Sequence, residues 1–215
     1  MSNAAMPAVA PTDLIELGRV AAAYGVKGWI KIQPHSADSD VLLSVVSDAS
    51  ASTPPAWWLV RPALPGSPGG AAPARPCTVK AARVHGSHIV AQLDGVDDRD
   101  QAEALRGVGV CVSRSAFPPA AEDEYYWIDL IGCTVFGDDN GVPALLGVVD
   151  EVLDNGAHAV LKVLRQRQAP GQQVPEAMSD AKGRPLEVLV PFVQAHVQAV
   201  DLSNRRIDSD WPLDF

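Results

Sequence analysis

Residues 18–32 read GRVAAAYGVKGWIKI, and the organisation of the first half of the chain unfolds from that stretch. Gly25 and Gly28 bracket a short basic turn between the apolar runs Leu14 to Val20 and Trp29 to Gln33. Glycine enters positive φ at little steric cost, so this spacing predicts two strands joined by a tight turn. The turn would present Arg19, Lys27 and Lys31 near one rim of a barrel. Two uses of these cations stay open: an ordinary solvated rim, or contact with phosphate or with a partner's carboxylates.

The same pattern continues outward. Trp57 to Arg61, Thr78 to Val84, His88 to Leu93 and Val108 to Val112 are further β-branched or aromatic runs between turn residues. Six such strands in about 100 residues predict a closed barrel. One helix is signalled inside it, where Asp98 and Gln101 form a capping box, Asp97 and Asp100 suit the positive helix start, and Gly107 supplies a left-handed exit. Ala102 and Leu105 would share its buried face. A shorter helix is expected near Asp40 to Val46. The stretch Arg61 to Pro76 is too rich in Pro and Gly for regular hydrogen bonding and reads as a hairpin loop.

Pro118 and Pro119 mark a break, and the charge balance changes across it. Residues 1–120 hold ten Lys plus Arg and ten Asp plus Glu, whereas residues 121–215 hold seven and sixteen. The whole net charge of −9 therefore belongs to the second part. Such a surface repels phosphate, gains nothing from counterion release and attracts a basic protein, unless it serves solubility alone. The expected division is a first domain over 12–116, a linker over 117–124 and a second domain over 125–210. In the second, strands are expected at Thr134 to Phe136, Leu146 to Leu153, His158 to Leu164, Leu186 to Val190, Val197 to Leu202 and Arg206 to Asp208, with Asp154-Asn155-Gly156 as a turn. Gly132 and Gly156 read as backbone devices. Arg165 to Pro185 reads as a flexible loop whose Arg165, Arg167, Lys182 and Arg184 make a local positive patch.

Just beyond the break, Glu122, Asp123 and Glu124 are followed by Tyr125, Tyr126 and Trp127. If these aromatics lie in a strand, successive rings point to opposite sides and at least one lies outside. One reading places them in the seam between two barrels. The other gives an exposed Tyr beside three carboxylates the task of receiving Lys or Arg from a basic partner. Asp129 reads as pinning the turn after the aromatics.

These two motifs, with GVDDR at 95–99 running on through AEALRG at 102–107, LGVV at 146–149 and Val190-Pro191-Phe192, resemble the RimM family of ribosome maturation factors along almost the whole chain. The resemblance implies an all-β protein of two small β-barrels, an N-terminal six-stranded barrel like a translation-factor domain and a C-terminal PRC-barrel. It further implies binding to the head of the 30S subunit through ribosomal protein number nineteen, support of 16S rRNA processing and possible contact with that RNA. The chain departs from the family's common pattern at Tyr24, where His is usual, and at Trp29, where Glu is usual.

Other classes find less support. The sequence holds no GxxxxGK, GxGxxG, HExxH or GxSxG pattern, and His35, His85, His88, His158 and His196 are scattered, so no enzyme, cofactor, metal or small-molecule substrate is expected. A direct RNA reader would need an aromatic-rich basic groove, which the linear sequence does not display. Cys77, Cys111 and Cys133 read as reduced core thiols. No window approaches the roughly 20 apolar residues of a membrane helix. The opening segment lacks the basic start of a signal peptide. A cytoplasmic location is expected.

Overall fold

The computed structural model describes residues 9–47, 57–62, 73–121, 124–168, 171–172 and 174–213. The chain divides into two compact units, Met1–Pro119 and Ala120–Phe215.

The first unit is built on seven strand segments, β1 (Leu14–Tyr24), β2 (Trp29–Pro34), β3 (Trp57–Val60), β4 (Arg75–Cys77), β5 (Val79–His85), β6 (His88–Leu93) and β7 (Gly109–Ser113). They pair in the order β4-β3-β7-β1-β2-β6-β5. The two end strands are consecutive lengths of one chain, separated only by Thr78, with Cys77 opposite Trp57 and Val79 opposite Leu93. Arg75 to His85 is thus one kinked strand that carries the sheet back to its own beginning. Irregularities at Glu16/Gly18 and Val20/Ala22 bend β1 so that it serves β7 along one half and β2 along the other. The expected loop over Arg61 to Pro76 gives way to β4 at its end, where Pro76 stands opposite Trp58 on a strand at the end of the sheet path, where Pro is tolerated. Residues 63–72 of that segment lie outside the described residues.

Alternation makes the core. Ile30 and Ile32 are fully buried, flanked by more exposed Trp29, Lys31 and Gln33. Helix α1 (Val41–Ser47) contributes Leu42, whose carbonyl accepts from buried Trp57 Nε1 at 3.0 Å. Burying each such side chain stabilises the unit by roughly 1.5–3 kcal/mol. Helix α2 (Arg99–Glu103) starts at Asp98, whose Oδ1 accepts from Gln101 N–H at 2.8 Å. The Gln101 side chain reaches past the cap to Asp97 N–H, also at 2.8 Å, so the reciprocal bond forms one residue earlier than expected. Ala102 is buried, while Leu105 is only half-buried. Gly28 has φ 71°, and a Cβ there would stand 2.1 Å from Val96 O, so the turn needs glycine for both its conformation and its clearance.

In the second unit, helical turn α3 (Trp127–Leu130) precedes β8 (Thr134–Asp139), β9 (Val142–Asp154), β10 (Ala159–Arg167), β11 (Glu176–Ala177), β12 (Glu187–Pro191), β13 (Val197–Asp201) and β14 (Arg206–Pro212). The order is β11-β10-β9-β8-β14-β13, with β12 also on β10 and with β14 parallel to β8. Leu130, Cys133, Val135, Leu146, Leu161 and Ile207 lie at the heart of its core. The Asp154-Asn155-Gly156 turn forms, with Asp154 and Asn155 carboxyl and amide oxygens accepting from Gly156, Ala157 and His158 N–H. A second hairpin turn at Asn140-Gly141, both at positive φ, joins β8 to β9.

The interval Arg165 to Pro185 is not a plain loop. β10 continues to Arg167 and pairs with β11, and Ser179 bridges to Pro185. Its positive patch is also largely neutralised: Arg184 binds Asp180 at 2.7 Å, Arg167 approaches Glu176 at 3.7 Å, and Arg165 donates to the Leu213 carbonyl. Among the described residues no helix is long and apolar enough to cross a membrane.

Candidate functional site

The aromatic motif does not form a strand. Glu124 to Tyr126 is irregular and exposed to half-buried, and Trp127 then opens α3, so the alternation expected of Tyr125, Tyr126 and Trp127 does not apply. Short α3 lacks a capping side chain; Asp129 N–H donates to Tyr126 O at 3.0 Å, and Cys133 Sγ donates to Asp129 O. Gly132, at φ 77°, then lets the chain turn while its N–H donates to Val149 O at 2.7 Å, and Arg205 closes over it by donating to Ile131 O.

Tyr125 leans on the second core and meets Phe192 edge-on, with ring centroids 6.0 Å apart and planes at 81°. The pair lies at one side of a groove of about 350 Å³ that also takes in Val193, Val197, Gln198 and Val200. Strand β13 supplies most of the opposite wall. Past its last wall residue stands Asp201, whose carboxyl the Ser203 hydroxyl, the Asn204 amide and the Asn204 N–H hold down at about 2. Asp201 is therefore ionised throughout the physiological range. Asp210 binds His196 Nδ1 at 2.9 Å, and that imidazole packs edge-on against Trp211 at 5.1 Å. The groove is thus a slot of mixed lining, in which Tyr125, Phe192 and valine side chains stand beside the polar Gln194 and Gln198. Glu124 is exposed, its N–H donating to Ala121 O, whereas Glu122 and Asp123 lie outside the described residues.

Elsewhere on this unit one cation gathers several anions. Lys162 Nζ stands 2.9 Å from Asp150, 3.4 Å from Glu151 and 3.8 Å from Glu187. Hydrogen bonding to Asp150, ahead of all other influences, raises the Lys162 pKa. Three carboxylates against one ammonium still leave a negative field, which is what a cationic partner would meet on approach.

The three cations singled out in the first unit are not gathered on one rim. Arg19 lies opposite Gln33, far along the β1–β2 hairpin from exposed Lys27 in its turn. Five residues of strand from Arg19 to Tyr24 amount to roughly 16 Å. Arg19 is moreover held by Glu16 at 2.7 Å, and the same carboxylate oxygen accepts from His35 Nε2 at 2.8 Å. Lys31 belongs to a different neighbourhood: its strand position faces Val90 on β6, which in turn faces Arg83 on β5. Arg83 sits over the Trp29 ring at 5.4 Å, and His85 meets Tyr24 edge-on at 5.1 Å. These residues come from four strands, so the linear sequence does not display them together. Gly25 and Gly156 have φ of 71° and 84° and occupy turns with nothing packed on them.

Cys111 and Cys133 are buried; Cys77 is half-buried, not a core thiol, with its Sγ donating to Trp57 O. Burial pushes the Cys77 thiol up to about 12 and that of Cys111 to about 11, so neither is a nucleophile near neutrality. Among the described residues no cluster of three or more His, Cys, Asp or Glu could hold a metal ion.

Comparison with known proteins gives a single family. Residues 15–117 match the RimM N-terminal domain, and residues 127–215 match the RimM PRC barrel domain. The ribosome maturation factor RimM of Bordetella pertussis is 61% identical over 216 residues, spanning all of both chains. Its counterpart in Bordetella petrii is 57% identical over 218 residues, again all of both. That of Cupriavidus taiwanensis is 42% identical over 208 residues, covering 95% of this chain and 88% of the relative.

Proposed function

The chain belongs to the RimM family, its two units being the RimM N-terminal domain and the RimM PRC barrel, and from that membership we propose that it binds the head of the assembling 30S subunit through ribosomal protein number nineteen. Its role is in ribosome maturation, the function its relatives are named for. It acts without turnover: by binding one conformation of the maturing head more tightly than others, it shifts the population toward that state and supports 16S rRNA processing. No nucleotide, metal or small-molecule substrate enters this scheme.

The observation that carries the docking surface is the groove beside Tyr125 and Phe192 in the unit that owns the excess acid. A basic protein segment fits it in two ways. Its side chains meet Tyr125, Phe192, the valines and the two glutamines of the slot, and its Lys and Arg meet ring faces and nearby carboxylates, where aromatic and charge-assisted contacts reinforce each other. The long-range field of the unit steers such a partner toward it and repels free RNA.

The test is binding of the full chain to purified 30S subunits and to the isolated head protein at two ionic strengths. Replacing Tyr125 and Tyr126 together by Ala is expected to lower affinity by about 2 kcal/mol or more, the loss typical of a central interface tyrosine. Each single variant is melted as well, because Tyr125 also packs on the core. Folded single and double variants that bind subunits normally would move the docking surface elsewhere.

A further inference from the structure

The outer side of the first barrel carries a feature that protein docking by the second unit does not use. The alternation of β2 buries Ile30 and Ile32 and turns Trp29 and Lys31 outward. Strand register then fixes their neighbours: Tyr24 lies opposite Trp29, and Lys31, Val90 and Arg83 stand abreast across β2, β6 and β5. His85 pairs with His88 at the end of the same hairpin. Val90 is fully buried although it shares this outer face with two cations, as expected where the aliphatic stems of Lys and Arg lie over an apolar side chain and lift their charges into water.

Two contacts draw the face together. The Arg83 guanidinium lies 5.4 Å from the Trp29 ring centre, and the His85 and Tyr24 rings meet at 5.1 Å. What separates this group from an ordinary solvated rim is its charge pairing. Arg19 is held by Glu16, and Lys80 by Asp94 and Asp97 at 3.0 and 3.5 Å. Lys27, Lys31 and Arg83 make no ion pair with any described carboxylate. Cations without anions, set among partly exposed rings, match a ligand that brings both negative charge and flat aromatic surfaces.

We propose that this outer face of β1, β2, β6 and β5 binds single-stranded RNA, with bases stacking on Tyr24, Trp29 and His85 and phosphates held by Lys31 and Arg83. An acidic peptide would satisfy the cations and leave the rings unused. A duplex would offer phosphates while keeping its base faces stacked inside, so the rings select the single strand. The neutral overall balance of this unit does not oppose the assignment, because Glu16, Asp94 and Asp97 are engaged by Arg19, His35 and Lys80 rather than by the cations of this face. The site is distinct from the groove beside Tyr125, and its assay contains no protein partner, so its failure would leave the docking proposed above intact.

The experiment is fluorescence anisotropy of the full chain with a labelled oligo(A) of about ten nucleotides, within the span that single-strand-binding barrels cover, against a duplex RNA of equal length and inorganic polyphosphate. The expected result is salt-dependent binding of the single strand in preference to both. Tyr24→Ala should weaken it about ten-fold while keeping the salt dependence, the behaviour of a lost stacking partner. Lys31→Ala and Arg83→Ala should each weaken binding and reduce the salt slope by about one. Lys182→Ala, an exposed cation of the second unit, should leave it unchanged. Circular dichroism melts confirm that each variant is folded, and Trp29→Phe, which keeps a ring, should retain most of the affinity where Trp29→Ala destabilises the barrel. Absence of binding at low salt, equal binding of polyphosphate, equal binding of duplex, or indifference to Tyr24→Ala in folded protein would each overturn the proposal.

Discussion

The two barrels solve the same architectural problem with opposite surfaces. In the first, ten cations balance ten carboxylates, yet the pairing is uneven, so Lys31 and Arg83 share a face with Trp29 and Tyr24 and make no ion pair with any described carboxylate. In the second, sixteen carboxylates face seven cations, and even Lys162 is shared among three of them. Net charge alone would call the first unit featureless and the second uniformly repulsive to nucleic acid. The local arrangement says more: one chain carries a face suited to phosphate and base and, in a separate core, a slot suited to a basic protein.

The most severe way to break this comparison is to show that the cores are not separate. Trp57 is fully buried in the first core and Leu161 in the second. Trp57→Ala should cost about 3–5 kcal/mol and Leu161→Ala about 2–5 kcal/mol. Calorimetry of each variant should show one transition moved and the other in place; a joint shift of both would mean that the units share their stability. A smaller effect sharpens the first barrel alone. Gly28→Ala places a Cβ against Val96 O in a left-handed backbone and should cost about 1–3 kcal/mol, read as a lower denaturation midpoint confined to the first transition. Gly25, with the same φ but open space around it, should be the milder substitution of the two.

The smallest expected effect belongs to the second barrel. Hydrogen bonds led by Ser203 depress the folded Asp201 carboxyl from 3.8 to about 2. A depressed acid stabilises the fold fully above its unfolded value and loses that contribution as pH falls through its folded value. Between about pH 4 and about pH 2 the second transition should therefore fall slightly, and in Asp201→Asn that part of the acid dependence should vanish. An identical acid limb in both proteins would remove Asp201 from the account.

Much of the fold was legible because alternation and turn chemistry are local. The hairpin at 154–156 and the turn at 25–28 follow from glycine and asparagine between apolar runs. The Asn140-Gly141 turn is harder to read in the sequence, since the acidic Asp138 and Asp139 before it and Pro143 after it obscure the strands on either side. Pro76 concealed β4 in the same manner, although Pro fits a strand at a sheet end where no ladder bond from its nitrogen is required. The aromatic triplet invited a strand by composition, and a single helical turn such as α3 is too short to leave a periodic trace. Long-range pairing was the least accessible layer. Trp29 and Lys31 alternate within β2, as do Arg83 and His85 within β5, but only the placement of β6 between those strands gathers them. Tyr125 and Phe192 similarly come from distant segments and become a pair only in the folded unit.

Hydrogen exchange of the full chain, free and bound to purified 30S subunits, tests the docking most directly, because it reads every backbone amide of both barrels in one experiment. The account predicts new protection over residues 124–132 and 192–201, around the slot beside Tyr125 and Phe192, and loss of that protection in a folded Tyr125→Ala, Tyr126→Ala double variant. Protection confined to the first barrel, with 124–132 and 192–201 exchanging as in the free protein, would contradict it.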